Sequence, residues 1–311
     1  MTKTRTGIRS GKGRWGVSLQ QKQWLPYAMI APGLVLVALI AVYPALSALR
    51  ISTYEMNLLR MFESKFVGLI NYEMLLQDDR FLGSVLRTLR WTGVVVAFQM
   101  ALGLPLALFL NVKFPWRGFA RTLVLIPWVV PPTVTAVIWA YMFDANFGVL
   151  NEILVRLHIL QSYFAWLSDN TGSFAVVASA MVWTGTPLMA IMLLAALQAL
   201  PEDIYEAARI DGAGAWQRFR YITLPQLMPT ILLLLLLRSM WLSHHVDIIY
   251  LITDGGPGVA NLTLSVFTFR LGAISLNVGY ASAVAVVLAL ILLIAAVIYI
   301  HYIERSRDYL Q

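Results

Sequence analysis

Four side chains in an otherwise apolar stretch, Arg238, Trp241, Leu242 and His245, stand at positions i, i+3, i+4 and i+7. At about 100° per residue they share one helical stripe. A guanidinium, an indole and an imidazole side by side suit recognition of a polar solute. The arginine would grip sulfonate, phosphate or carboxylate by charge-assisted hydrogen bonds, the histidine adds a titratable group, and the indole gives a flat surface on which a sugar can stack. Charge near mid-bilayer is costly, so Arg238 must face either a wet cavity or an acidic residue of a second polypeptide. Both readings, solute contact and structural pairing, stand at this point. Asp247 is not the partner in a straight helix, because it follows about 13 Å further along the axis on the opposite face, and His244 also points elsewhere.

Other chemistry is excluded. The chain has no cysteine, which removes disulfides, thiolate metal sites and a cysteine nucleophile. His158 and His301 have no second ligand at a metal spacing. No cluster of acid, base and nucleophile marks a membrane-embedded enzyme. The phosphate-cradling pattern G-x-x-x-x-G-K-[ST] is absent, since SGKG at Ser10–Gly13 and GGPG at Gly255–Gly258 lack its spacing. This chain therefore carries no such nucleotide cradle, and it is expected to hold no cofactor.

The elements that carry these residues are membrane spans. With 59% hydrophobic and 13% charged residues over 311 positions, the chain is far more apolar than a soluble domain. Charge-free intervals at 23–49, 91–112, 122–143, 170–201 and 271–303 each reach the roughly 20 residues that cross a hydrocarbon core. A sixth, about 226–250, is interrupted by Arg238, His244, His245 and Asp247. The tail at 1–24 carries Lys3, Arg5, Arg9, Lys12, Arg14 and Lys22 without an acidic residue, and the loop 111–121 adds Lys113, Arg117 and Arg121. By the positive-inside rule both are cytoplasmic, so the net charge of +7 reads as topology rather than as nucleic-acid binding. The first apolar run is too long for a cleavable signal, and the glycine-rich tail is expected to be mobile or to lie on anionic lipid. Alternation places 50–90, 144–169 and 252–270 outside. Trp24, Tyr27, Tyr299 and Tyr302 read as interfacial anchors, and Glu55, Glu63, Glu73, Asp78 and Asp79 as solvated outer-loop charges or contacts to an external protein. Prolines at 32, 44, 105, 127, 131, 132 and 187 punctuate the spans, either shaping packing or opening a kinked, wet path.

Between two spans lies a polar insert, LPEDIYEAARIDGAGAWQRFRYITLP, from Leu200 to Pro225. Pro201, Glu202 and Asp203 suit a helix start, and Gly212 and Gly214 a stop. Trp216, Phe219 and Ile222 then recur at helical spacing. The expectation is a short helix, a bend and an amphipathic helix re-entering the membrane, with Ala207, Ala208 and Ala213 open to a close partner. The alternative is an ordinary interfacial helix.

Glu206, Ala207, Ala208, Gly212, Ile222, Leu224 and Pro225 meet the pattern EAA, three residues, Gly, nine residues, Ile-x-Leu-Pro. In this the insert resembles the cytoplasmic loop of ABC importer permeases. FVGLINYEMLL (66–76), RTLVLIPWVVPPTVTAVIWAYMFD (121–144) and IIYLITDGGPG (248–258) resemble the maltose-type carbohydrate permease family in the same order. The resemblance implies that Glu202, Glu206, Ala207, Ala208, Asp211, Gly212 and Ala213 form a coupling helix seated in a cytoplasmic ATPase. It also implies a second homologous permease subunit, two ATPase copies that bind ATP and Mg, and an extracytoplasmic solute-binding protein. In that family the solute site draws on positions that map to Thr184, Gly185 and Leu188 in the fourth span and to Arg238, Trp241, Leu242 and His245 in the fifth. Arg and His stand here where maltose binders carry smaller neutral groups, so sugar specificity does not carry over. The GGPG turn is expected to help seat the binding protein or a neighbouring loop.

The expected fold is an all-α integral membrane protein of the type I ABC importer permease class, with six transmembrane helices and both termini cytoplasmic in a bacterial inner membrane. A basic tail (1–24) precedes a single transmembrane domain (25–303, including the loop 200–225), and a short tail (304–311) follows. The expected function is the permease subunit of an ATP-driven importer for a sugar, polyol or acidic sugar derivative. A secondary transporter is the alternative, but it would have no use for the docking loop and would usually carry an inverted repeat.

Overall fold

The computed structural model describes residues 25–307, so the basic tail at 1–24 with Trp24, and residues 308–311, lie outside the described residues, as does the side chain of Tyr302. The chain divides into two units, Met1–Ser47 and Ala48–Gln311. In the first, α1 (Leu25–Val37) passes through a π-helical stretch, Ala38–Val42, into α2 (Tyr43–Ile51), whose last turn belongs to the second unit. The wide turn falls just before Pro44. A proline cannot donate to the residue four back and its ring crowds that carbonyl, so widening the ladder there relieves both problems. The same device recurs in the second unit, where a π stretch at Phe219–Thr223 precedes Pro225.

The second unit begins outside the spans with a two-stranded ribbon, β1 (Tyr54–Glu55) paired antiparallel with β2 (Lys65–Phe66), and α3 (Ile70–Gln77). Five further segments carry the membrane-spanning load. They are α4 (Asp79–Asn111), the pair α5–α6 (Arg117–Val124, Ile126–Val129) with α7 (Pro132–Met142), α9 (Asn170–Gln198), α12 (Leu224–Ser243) and α15 (Val278–Arg307). With Met29–Ile51, five helices are long and apolar enough to cross a membrane, and six if the bent pair is one span. Short helices α8 (Val149–Arg156), α10 (Glu202–Ile210), α11 (Ala215–Arg218), α13 (Asp247–Thr253) and α14 (Leu264–Phe269) fill the connections.

Several boundaries differ from the sequence expectation. The second span starts at Asp79 rather than 91, because Asp78 is a working N-cap whose Oδ1 accepts the Arg80 N–H at 2.9 Å. Its other carboxylate oxygen accepts the Tyr280 hydroxyl at 2.9 Å, so Asp78 is a packed joint between α4 and α15 rather than a free loop charge. The third span is two helices bent by 87°. Val130 and Pro131 are extended between them, as steric restriction ahead of consecutive prolines demands. The last span starts at Val278 instead of 271: α14 runs on through a π stretch, Arg270–Ile274, and the chain then breaks at Leu276, whose φ is +56°. Tyr299 is half-buried and donates its hydroxyl to the Leu232 carbonyl of α12, so it is a helix-packing contact and not an interfacial anchor.

Apolar packing in this unit forms two clusters along α4, α9 and α12. One gathers Trp91, Val95, Val177, Leu242, Ile248 and Val284, and the other Leu110, Met189, Leu193, Leu227 and Ile231. A polar layer centred on Gln99 and Arg238 also joins these three helices.

Candidate functional site

That layer is built on Arg238, which is only 5% exposed. Its Nε and Nη2 both donate to Gln99 Oε1 of α4, at 3.0 and 2.9 Å, and Gln99 Nε2 donates to the Met181 carbonyl of α9 at 2.7 Å. The chain of donors ties three helices together. Gly185 makes it possible, because a Cβ there would collide with Gln99 Nε2 and Arg238 Nη2 and lie 2.6 Å from Gln99 Cδ. Gln99 is neutral, so it satisfies donors without cancelling charge. No acidic side chain pairs with Arg238 among the described residues. The guanidinium also stands 5.3 Å from the Trp241 ring centroid, and Trp241 is 46% exposed. A buried cation thus backs an accessible aromatic face.

The predicted stripe is therefore only partly realised. Arg238 and Trp241 come together, but α12 ends at Ser243, leaving His245 off the helix. His245 is half-buried in the turn before α13, its carbonyl accepts from Ser265 Oγ at 3.0 Å, and its Nε2 is enclosed without a partner. Leu242 is wholly buried, and its carbonyl accepts the Trp91 indole N–H at 3.2 Å. Gly185 likewise has the Gln99 amide and the Arg238 guanidinium packed against it. Thr184 and Leu188 are half-buried on α9, with Thr184 Oγ1 bonded to the Met181 carbonyl at 3.1 Å. Asp247 is exposed in the first turn of α13, beyond the break in the helix, so its separation from Arg238 comes from that break and not from a straight helix. Gln99 was missed in the sequence. Its signal is an amide in the middle of the charge-free run 91–112, whose other amide, Asn111, stands at the end.

The second constellation is the insert. Helix α10 starts at Glu202 with Pro201 as its extended N-cap, and Glu202 and Asp203 occupy the first turn, where acidic charge complements the helix dipole. It ends in a Schellman motif: Gly212 has φ +79°, its N–H bonds the Arg209 carbonyl at 3.1 Å, and the Ala213 N–H bonds the Ala208 carbonyl at 2.9 Å. Ala208 and Ala213 are consequently half-buried against the cap instead of open to a partner, while Ala207, Glu206 and Asp211 remain exposed. Ile210 is 87% and Trp216 71% exposed, an apolar surface at the tip of the loop. Tyr205 and Thr223 share a hydrogen bond of 2.9 Å that binds α10 to the root of α12. Lys113 pairs with Glu202 at 3.8 Å, so the basic loop and the insert share one end of the unit, flanking a cleft of about 700 Å³.

Residues 99–308 match the family described as the binding-protein-dependent transport system inner membrane component. The chain is 37% identical to the trehalose/maltose transport system permease protein MalF of Thermococcus litoralis, across 91% of this chain and 95% of that protein. It is 34% identical to the sulfoquinovosyl glycerol transport system permease protein SmoG of Agrobacterium fabrum, across 91% of each. It is 32% identical to the sn-glycerol-3-phosphate transport system permease protein UgpA of the same organism, across 92% and 96%. A bacterial alginate ABC transporter, crystallised with a periplasmic protein holding an alginate pentasaccharide, contains a chain that superposes with a TM-score of 0.78 at 22% identity, over 92% of this chain and 96% of that one, which establishes the shared fold. The broken spans, the capped insert and these matches lead to one conclusion: the chain belongs to the family of binding-protein-dependent transport system inner membrane components and is a multi-pass transport subunit rather than an enzyme.

Proposed function

We propose that the chain is one permease half of an ATP-driven carbohydrate importer, and that α10 is its coupling helix. A homologous permease completes the pathway, two copies of a cytoplasmic ATPase supply ATP and Mg binding, and an extracytoplasmic binding protein delivers the solute. The observation that carries this is the insert itself: a rigidly capped helix, exposed along Glu206, Ala207 and Ile210, anchored to the span α12 through Tyr205 and Thr223. A polar helix so held can transmit a push without melting. Placing this end inside agrees with Lys113, Arg117 and Arg121 beside it, and puts both termini in the cytoplasm.

The cycle is alternating access. Closure of the ATPases on ATP moves α10, the paired permeases open outward, and hydrolysis returns them to release solute inward. ATP biases the equilibrium because it binds the closed ATPase dimer more tightly than the open one.

For the solute, a carbohydrate derivative bearing an anion fits best. Trp241 offers the stacking face, and Arg238 behind it keeps an uncancelled positive charge on a neutral amide. Relatives named for a sulfo-sugar glycoside and a phosphate ester, alongside one named for trehalose and maltose, support this class. Thr184 and Leu188 would line the opposite wall. The test is ATPase activity of the complex in nanodiscs, with the cognate binding protein and matched neutral and anionic sugars. Stimulation confined to the anionic member is expected. Equal stimulation by the neutral sugar would return Arg238 to a purely structural role.

A further inference from the structure

Two arginines at the far end of α4 remain without a task. Arg87 and Arg90 precede the apolar stretch of that helix, at the end opposite the loop 111–117. Neither forms an ion pair with any acidic side chain among the described residues. Arg87 folds back over Gly83, where a Cβ would come within 2.8 Å of its Nη1, and that Nη1 is buried with no acceptor. The guanidinium carbon of Arg90 sits over the Phe174 ring, 3.7 Å from its centroid. Both side chains line an open groove of about 510 Å³, together with Asn170 and Thr171 at the start of α9 and the loop 257–260. The nearby carboxylate, Asp169, is spent on the backbone N–H groups of Thr171 and Gly172, at 2.9 and 2.7 Å. A buried guanidinium donor without an acceptor is uncommon enough to need an explanation, and two cations facing one groove give it a sign.

We propose that Arg87 and Arg90 form a carboxylate-accepting pocket at the outer mouth, filled by an acidic side chain of the extracytoplasmic binding protein when it docks. The assignment rests on the reading of this end as external. Charge complementarity selects the occupant: two uncompensated cations at a water-facing rim, beside an exposed turn, fit an Asp or Glu presented on a protein surface. Arg90 is pre-set by the Phe174 ring and Arg87 by the Gly83 gap, so little side-chain freedom is lost on docking. Trp91, the neighbour of Arg90 on α4, borders the same region and donates to the Leu242 carbonyl at the end of α12. The pocket therefore adjoins the helix that carries Arg238.

The experiment uses the complete transporter in nanodiscs and follows ATPase stimulation as loaded binding protein is titrated. Arg87→Gln and Arg90→Gln should each raise the half-stimulating concentration by about tenfold, less than the loss of a fully buried charge pair because the pocket opens to water. The difference from wild type should shrink as salt is raised. Gly83→Ala, which keeps both charges and favours the helix, should still shift the curve by displacing the Arg87 guanidinium, whereas Arg90→Lys should recover part of the loss. Titration curves identical to wild type in assembled Gln variants would overturn the pocket while leaving the permease reading intact. A shift that instead appears as a changed solute dependence at saturating binding protein would identify a solute anion as the occupant and also overturn it. A wild-type complex indifferent to the binding protein would overturn the permease reading itself.

Discussion

Gly185→Ala is the smallest change that should disrupt the polar layer. In a helix interior, alanine is favoured over glycine by about 1 kcal/mol, so propensity alone forecasts stabilisation. Packing forecasts the opposite. The new methyl would occupy the space of the Gln99 amide and one Arg238 nitrogen, and neither can retreat without breaking the bonds of 3.0, 2.9 and 2.7 Å that join α4, α9 and α12. Hydrogen bonds to a charged group are worth about 1.5–3 kcal/mol, and leaving a buried charge without its partner costs about 3–5 kcal/mol. The clash should win, for a net loss of about 2–4 kcal/mol. A double-mutant cycle isolates the cause. Gln99→Ala removes the same bonds, vacates the space of the amide and frees the Arg238 guanidinium to swing away from the new methyl, so adding Gly185→Ala to it should cost far less than in the wild type. The coupling energy, read from reversible SDS unfolding followed by tryptophan fluorescence, should reach about 2 kcal/mol or more. Additivity within about 0.5 kcal/mol would refute the clamp.

Further consequences follow from other residues. Gly212→Ala forces a Cβ into the left-handed region and should destabilise α10 by about 1–2 kcal/mol while leaving the spans inserted, and Gly212→Pro, which cannot adopt φ +79°, should uncouple ATP hydrolysis from uptake. Asp78→Ala removes both a helix cap and the acceptor for Tyr280, so thermal stability of the purified complex should fall by more than the roughly 1 kcal/mol of a cap alone, while Tyr280→Phe should recover part of that loss in the double variant. Arg238→Gln should lower transport of an anionic solute more than that of a neutral one. Glu152 in α8 has its carboxyl held below the ordinary range, first by the Tyr163 hydroxyl at 2.6 Å and then by Arg156. A lowered carboxyl pKa contributes only above the unfolded value and is lost as pH falls through the folded one, so this outer contact should stay intact from pH 8 down to about 5 and loosen only in stronger acid. Carboxyl titration by NMR with and without Tyr163→Phe would test it.

What was legible in the sequence was local. Glu202, Asp203 and Gly212 announce the start and stop of α10 by charge and backbone freedom, and the structure places them as those rules require. Pro131 and Pro132 signal a break, but not its 87° angle, which depends on how α7 packs on α9 and α13. Asp78 reads as a loop charge in the sequence because counting charge-free residues finds the apolar part of a helix and misses a capped polar turn ahead of it. His245 left its stripe because nothing local marks the end of α12 at Ser243: no glycine or proline stands there, and the stop comes from α13 packing Ile248 and Ile249 into the core. Gln99 and Gly185 lie 86 positions apart and meet only in the folded unit. No periodicity predicts that a glycine on one helix exists to admit an amide from another.

The claim that matters most is that ATP energy enters through α10. Because the chain has no cysteine, Ala207→Cys creates a single thiol on the exposed face of that helix, without touching the cap formed by Ala208 and Ala213. Bifunctional thiol cross-linking of the intact complex should join this position to a copurified ATPase subunit, with a yield that changes when ATP closes the ATPases. A chain that copurifies with no ATPase, gives no such cross-link and still transports solute would contradict the coupling role outright.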